Sequence, residues 1–402
     1  MDKVVLATPK GFRDYLPEDA LRRRFVVGKI VEVFERFGFA PLETPTLEYA
    51  QTLKGKYGEE EKLIYEFETR GGDKIALKYD QTVPLARVIA QYPELPKPFK
   101  RYQVQPAYRG ENPQRGRYRE FLQCDADIVG VSTPLADAEI LALVYEIYRN
   151  LGLEVFIKIN DRSLLSKYEP KYLSAVDKLL KIGPDGVIKE LQAKGMSEQQ
   201  ARDTLKEITS LQETDNLKEI ENLFEKLGYP KEALQFDPTL VRGLDYYTGL
   251  ILEVVLKSNP TSSSLAGGGR WDNMIGQFTG VNQPAVGFAI GLDRTIEAMV
   301  EEGVLDTPQT LTKVLVTIFS KQLEELSLKI TSRLRSNNIP TEVWLDSNTK
   351  LDKQLKYGSQ KKIPYVVIIG PNEAEKNTVA LKNLSTGEQE ILSFEDLTSH
   401  LI

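Results

Sequence analysis

Residues 117–128, RYREFLQCDADI, alternate in a way that fixes much of what can be built around them. Successive side chains of a strand point to opposite faces of its sheet. One face therefore takes Glu120, Leu122, Cys124, Ala126 and Ile128, which are mostly small or apolar. The other takes Arg117, Arg119, Phe121, Gln123, Asp125 and Asp127. A row of guanidinium, aromatic, amide and carboxylate groups cannot be a core face, so only one side of this sheet is expected to be core. The polar side is either a solvated surface with ordinary cross-strand ion pairs or the floor of a site. The preceding strand, in KRYQVQPAYRG, ends with Arg109, and the loop between adds Arg115. Such a hairpin gathers arginines at one end and carboxylates at the other. That polarity suits a zwitterionic or phosphate-bearing ligand, with guanidinium for phosphate and carboxylate for amine.

Composition narrows the chemistry. The chain has one histidine, His400, near its end, and one cysteine, Cys124. An intramolecular disulfide is excluded, a reducing compartment is favoured, and no zinc site is expected. A histidine general base in the core is excluded as well. Catalysis must rely on carboxylates, arginines, tyrosines or a cofactor. The net charge of −6 gives no global basic field for nucleic acid, although local patches can still bind RNA. There is no apolar run of transmembrane length, and the first residues lack the layout of a signal peptide. A soluble, cytoplasmic protein without a membrane partner is expected.

A length of 402 residues implies two or three domains. Leu21, Phe25, Ile30, Val33, Phe34 and Phe37 recur at helical spacing, and Gly38 is placed to end that helix. The run IALKYDQTVPLARVIA reads as a short strand and then a helix capped by Asp80 or Thr82, with Pro84 in its first turn. Residues from about 165 to 236 are rich in Lys and Glu at helical spacing and read as an inserted helical subdomain. A linker is expected around 303–312. Beyond it, KVLVTIF, IPTEVW and IPYVVIIG alternate with helices as in an α/β domain. This tail is near charge balance, whereas the body carries the acidic excess.

Three more constellations each allow a structural and a functional reading. In GFAIGLDRTIEAM, small residues Gly287, Ala289 and Gly291 lead into a helix with Arg294 in its first turn. A cation there opposes the helix dipole. Either an anion sits nearby and a flat ring lies over the glycines, or Arg294 pairs with a local carboxylate in a tight strand–helix joint. In AGGGRWD, three glycines before a helix could cradle phosphate, but the spacing is not that of a Walker or dinucleotide loop. In TLVRGLDYYTGLILEVV, Arg242, Asp245, Tyr246 and Tyr247 stand with Gly243 and Gly249 at the mouth of a buried strand. The bland alternative is a tyrosine-rich turn packed on the core.

Taken together, these stretches resemble the class II aminoacyl-tRNA synthetases, and specifically the histidyl-tRNA synthetase family. VEVFERFGFAPLETPTLE resembles the first class motif, FKRYQVQPAYRGENPQRGRYREFLQCDADIVG the second and AVGFAIGLDR the third, while RGLDYYTG is similar to the histidine-specific motif. The resemblance spans essentially the whole chain. It implies an α/β multidomain fold: a catalytic domain over 1–310 built on a mostly antiparallel sheet with surrounding helices, the helical insertion, and an anticodon-binding α/β domain over 311–402. It also implies ATP-dependent activation of L-histidine, transfer to the 3′ end of tRNA(His), and a homodimer with residues 21–48 at its interface. Mg2+ would be held mainly by ATP, and no DNA partner is implied. Carried over residue by residue, Arg109 and Arg294 would hold ATP phosphates, with Arg117 nearby. Arg242 would sit at the reacting α-phosphate and substrate carboxylate. Asp80, Thr82 and Gln123 would take the amino group, and Gln81 would be a further histidine-binding residue. Asp127 and Tyr247 would read the imidazole, with Tyr246 lining the pocket. Neither Arg242 nor Asp127 is read as core, so replacing either is expected to leave the protein folded. Lys350, Lys353, Lys356, Lys361 and Lys362 are candidate anticodon contacts.

The chain departs from many bacterial members, which carry glutamate at the positions of Asp80 and Asp127 and RPE where KYD stands here. LKYDQT and CDADIVG look closer to the eukaryotic-type branch. Each aspartate is one methylene shorter, so direct contact and contact through water both stay open. The rival implied by part of the same motifs is the synthetase-like regulatory subunit of ATP phosphoribosyltransferase, which typically lacks the tail domain and the full arginine set.

Overall fold

The hairpin strands nucleate a sheet of eight. In the computed structural model, which describes residues 6–114, 116–241, 246–261 and 263–402, strands β1 to β11 occupy the first three quarters of the chain. They are β1 Ala40–Pro41, β2 Leu47–Tyr49, β3 Glu66–Glu68, β4 Lys74–Leu77, β5 Phe99–Tyr108, β6 Glu120–Val129, β7 Val155–Asp161, β8 Leu234–Phe236, β9 Leu250–Leu256, β10 Ala266–Arg270 and β11 Ala285–Gly291. The large sheet runs β1-β5-β6-β11-β10-β9-β7-β8, and a small sheet runs β2-β4-β3. Every pairing in the large sheet is antiparallel except the two at its edges, β1 with β5 and β7 with β8. Arg115, Arg242, Gly243 and Asp245 lie outside the described residues.

The apolar face of the alternation is core. Cys124, Ala126 and Ile128 of β6 join Phe288 and Ile290 of β11, Leu252 and Val254 of β9, and Ile157 and Ile159 of β7. Two helices supply the opposing layer: Pro17–Arg36, through Val26, Ile30, Val33 and Phe34, and Pro134–Asn150, through Ile140, Leu141, Val144 and Ile147. Fully burying such a side chain stabilises by about 1.5–3 kcal/mol, so this layer anchors the sheet on its apolar face.

The inserted region divides differently from its sequence texture. Helices Pro170–Val176, Leu179–Ala193 and Glu198–Thr209 share a core of their own with Leu165, Val187, Leu191, Leu205 and Ile208. The last helix, Asp215–Lys226, sets Leu217, Ile220 and Phe224 into the main core instead. Its Thr214 hydroxyl caps it by accepting from the Leu217 backbone N–H at 3.2 Å. The separate helical core is therefore smaller than 165–236, because the i, i+3, i+7 stripe of that last helix packs against helix Pro134–Asn150.

The chain divides into two units, one of residues up to 14 with 23–305, the other of 15–22 with 306–402. The second carries β12 Val314–Val316, β13 Thr341–Val343, β14 Tyr365–Ile368, β15 Thr378–Asn383 and β16 Gln389–Ser393, in the order β13-β12-β14-β15-β16. The first three are parallel to one another and the last two antiparallel. Ile330 and Leu334 of helix Glu324–Ser336 pack on Val314, Val316 and Val367. Among the described residues, no helix is long and apolar enough to cross a membrane.

One buried ion pair ties the glycine strand β10 to the helix layer. Arg270 donates from Nη2 to Asp137 Oδ2 at 2.8 Å and from Nε to Asp137 Oδ1 at 3.0 Å. Burial raises the Asp137 carboxyl to about 6, against the hydrogen bond and charge of Arg270. The folded chain thus holds this proton more tightly than the unfolded chain, whose Asp titrates near 4, so the group's contribution to stability falls as pH rises between those values. Arg270→Ala leaves a buried carboxylate unpaired and should cost about 3–5 kcal/mol at pH 8, and markedly less at pH 5, where Asp137 protonates. Urea unfolding at both pH values checks this; an equal loss at each would contradict it.

Candidate active site

The polar face of the hairpin is neither core nor solvated surface. Across the sheet, Arg101 stands opposite Asp127 and Asp127 opposite Gly287. The next same-face row is Gln103, Asp125 and Ala289, and the next is Gln105, Gln123 and Gly291. Arg101 is 0% exposed, Asp125 2% and Asp127 3%. The segment following β4 covers part of this face: Gln81 Nε2 donates to the Gln105 carbonyl at 3.0 Å, and the Tyr108 N–H donates to the Lys78 carbonyl at 3.0 Å.

Asp127 is more fully engaged than its role in the alternation implied. Its Oδ2 pairs with Arg101 Nη2 at 2.6 Å, and its Oδ1 accepts from Trp271 Nε1 at 3.1 Å. A Cβ on Gly287 would lie 2.1 Å from that Oδ1, so the glycine makes room for this carboxylate rather than for a flat ring. The expectation that Asp127 can be removed without effect on folding is therefore corrected: it is a buried counter-ion.

Asp80 lies at the start of helix Thr82–Gln91, where its Oδ1 accepts from the Val83 N–H at 3.1 Å and from the Tyr57 hydroxyl at 3.0 Å. Thr82 is half-buried at the first position of that helix. Burial holds the Asp80, Asp125 and Asp127 carboxyls above the usual range, Asp125 well above it; Arg101 pulls the latter two back down, while Asp80 pushes both up and Asp127 adds to the push on Asp125.

Within this buried layer some polar atoms have no hydrogen-bond partner among the described residues. Acceptors are in the majority: Asp80 Oδ2, Gln81 Oε1, Gln103 Oε1, Gln123 Oε1 and Asp125 Oδ1, against Nε and Nη1 of Arg101. Buried polar groups are ordinarily paired, so a layer with surplus acceptors is suited to a ligand that brings N–H groups.

At the other end of the hairpin stand the guanidiniums. Arg109 lies 4.3 Å from the centre of the Tyr79 ring and 5.2 Å from that of Phe121, and its Nε donates to the Tyr79 carbonyl at 3.2 Å. Arg117 pairs with Glu111 at 3.1 Å. Arg294 donates to two backbone carbonyls, of Ser264 at 3.0 Å and Gly116 at 3.4 Å, rather than to a carboxylate. Burial first, and then the positive charge of Arg117, hold Arg294 below its ordinary value, with Arg109 adding to the repulsion. Such a cluster is suited to polyanion binding. The neighbouring Asp293 is held by Arg13, at 2.6 Å, and by Arg23.

The glycine-rich AGGGR is strand β10, not a phosphate loop. A Cβ on Gly268 would lie 2.0 Å from the Gly287 carbonyl oxygen, so close strand approach explains the glycine. Tyr246 and Tyr247 have ring centres 4.8 Å apart, and Tyr247 packs with Leu240 and Ile251. These contacts are those of a packed turn. Arg242, the residue that gave the turn its proposed chemistry, is outside the described residues. Sequence reasoning missed Arg101, Trp271, Tyr57 and Gln103; the period-two pattern of KRYQVQ, with Arg101, Gln103 and Gln105 on one face, was the available signal for two of them.

Residues 313–402 match the family described as the anticodon binding domain. Together with an antiparallel-dominated sheet bearing an arginine cluster, that is the plan of the class II aminoacyl-tRNA synthetases. Residues 11–295 match the family described as histidyl-tRNA synthetase. The histidine–tRNA ligase of Cytophaga hutchinsonii is 36% identical, with 98% of this chain and 99% of that protein aligned. That of Aeropyrum pernix is 40% identical, with 95% and 94% aligned. The crystal structure of histidyl-tRNA synthetase from Nostoc sp. PCC 7120 superposes with a TM-score of 0.85 at 30% identity, covering 99% of each chain. The chain belongs to the histidyl-tRNA synthetase family.

Removing Asp127 strands Arg101. Asp127→Ala should therefore destabilise by about 3–5 kcal/mol, measured by urea unfolding. Unchanged stability would mean that Arg101 has another counter-ion.

Proposed function

We propose that the chain activates L-histidine with ATP and transfers the histidyl group to the 3′ end of tRNA(His). The observation that carries this is the two-ended polar layer, with surplus buried acceptors at one end and clustered guanidiniums at the other. Histidine brings an ammonium and an imidazole N–H, and ATP brings phosphates. The full-length relatives named as ligases and the match to both domains favour this over the regulatory-subunit alternative.

In the reaction the histidine carboxylate oxygen attacks the α-phosphorus. A carboxyl–phosphate bond forms, the bond to the β-phosphate bridging oxygen breaks, and pyrophosphate leaves with the electron pair. Such transfer needs positioning and charge neutralisation rather than a strong base, which suits a chain whose single histidine is His400. In this assignment Arg109, Arg117 and Arg294 neutralise phosphate oxygens, and Arg242 acts at the α-phosphate. Asp80, Thr82 and Gln123 receive the ammonium, and Gln81 is a further histidine-binding residue. Asp127, Tyr246 and Tyr247 form the imidazole end, with Asp127 held in place by Arg101 and Trp271. Mg2+ would be carried mainly by ATP and add charge neutralisation there. In this reading the protein's part is to orient the phosphates.

We place the catalytic domain at 1–310, the anticodon-binding domain at 311–402, and the site of action in the cytoplasm. We also place a homodimer interface at residues 21–48; sedimentation at micromolar concentration measures it, and a stable monomer would refute it. In the tail, Lys353 and Lys356 are exposed on helix Leu351–Gln360, as are Lys350 and Lys362 beside it, whereas Lys361 is drawn to Glu342 and Tyr357.

The direct test is histidine-dependent exchange of pyrophosphate into ATP. Arg242→Ala should lower kcat by on the order of 10²-fold or more with modest change in histidine KM, because its contact strengthens in the transition state. Near-normal kcat would leave the turn a structural one. Deleting residues 311–402 should spare exchange but impair tRNA charging; unchanged charging by a folded truncation would count against the role of the tail.

A further inference from the structure

We infer that Asp125 is a further substrate-contacting, specificity-determining residue, whose carboxylate accepts an N–H from the imidazole ring. This rests on the histidine reading above and adds a residue to it.

Asp125 lies on the site face of β6 between Gln123 and Asp127, opposite Gln103 on one side and Ala289 on the other. It is 2% exposed, and its Oδ1 has no hydrogen-bond partner among the described residues. Asp127, one same-face position further along, has each oxygen engaged already, by Arg101 and by Trp271. Of the two carboxylates, Asp125 is the one with an oxygen left to give.

Its cross-strand neighbour cannot supply the missing donor. Gln105 Oε1 accepts from Lys78 Nζ at 2.6 Å, which identifies that atom as oxygen. Gln103 must therefore turn its NH2 toward it, at 2.5 Å, and toward Thr44 Oγ1 at 2.7 Å. That leaves the Gln103 oxygen, itself unpartnered, beside an acid rather than a donor. Flipping the amide would set two oxygens against each other. On the far side β11 offers only Gly287, Ala289 and Gly291, none of which has a polar side chain. Among the described residues no side chain donates to Asp125 Oδ1, and a ligand N–H can supply that bond. Charge around the group is mixed: Arg101, Arg109 and Lys78 act on it from one sign, Asp127 and Asp80 from the other. A neutral ring N–H is therefore sufficient, and full imidazolium charge is not required.

The test is Asp125→Asn in pyrophosphate exchange, with β-(2-thienyl)alanine as a competitive probe of similar shape that lacks a ring N–H. Loss of a hydrogen bond to a charged group should raise histidine KM roughly 10- to 100-fold, leave ATP KM within about two-fold, and leave inhibition by thienylalanine unchanged. A histidine KM within about two-fold of wild type would overturn the assignment. So would an equal weakening of histidine and thienylalanine, which marks a packing effect. If the variant does not fold, a crystal structure of the unmodified protein with histidine decides. A ring nitrogen within hydrogen-bond distance of the Asp125 carboxylate supports the assignment; a ring held without Asp125 overturns it. Wild-type protein with no histidine-dependent exchange would defeat the enzyme reading itself, whereas normal wild-type exchange with an indifferent Asp125→Asn defeats this assignment alone.

Discussion

The ion pair between Arg101 and Asp127 is the constraint on which the site depends. It joins adjacent strands at one register position, with the two charged atoms 2.6 Å apart and both side chains out of water. Burying two charges is costly, and their attraction repays the cost only when geometry and further hydrogen bonds are good. Here Trp271 supplies one such bond, and the missing side chain at Gly287 supplies the space. A one-residue slip of either strand would send its own charge to the apolar face and leave the other buried without a partner. The pair therefore fixes the register of the hairpin, and with it the positions of Gln123 and Asp125.

From that register follows the division of labour across the sheet. One face is closed by helices and holds the fold together. The other is polar yet mostly shielded, so its groups act in a medium where charges and hydrogen bonds count for more than in water. Fixed acceptors at one end and guanidiniums at the other make the site selective by arrangement. In the proposed assignment a zwitterionic amino acid and a polyphosphate would occupy the two ends, with the carboxylate and the α-phosphate meeting between. Arg294 donates to the Ser264 and Gly116 carbonyls, while Asp293 is turned to Arg13 and Arg23.

Much of this was legible in the sequence, and the exceptions share a cause. The alternation of β6 gave the strand, its two faces and the gathering of charge. Arg109, Arg117 and Arg294 could be grouped before their positions were seen. Burial of the polar face could not be read, because it is produced by residues 78–81, whose distance along the chain from β6 hides their role as a cover. For the same reason Asp127 looked removable: its partner Arg101 lies on another strand and Trp271 beyond a third. The glycines of β10 misled in the other direction, since close strand approach and phosphate binding ask for the same residue. The helix Asp215–Lys226 carries the surface composition of the insertion, and only the stripe of Leu217, Ile220 and Phe224 reveals that it belongs to the main core.

The central claim is that this buried polar layer selects histidine and commits it to ATP. It is tested most directly by offering the intact protein ATP and an equimolar mixture of all twenty amino acids, and identifying the aminoacyl-adenylates by mass spectrometry. The account predicts histidyl-adenylate in large excess over every other. Adenylates of several amino acids in comparable amounts, or none at all from folded protein, would contradict it.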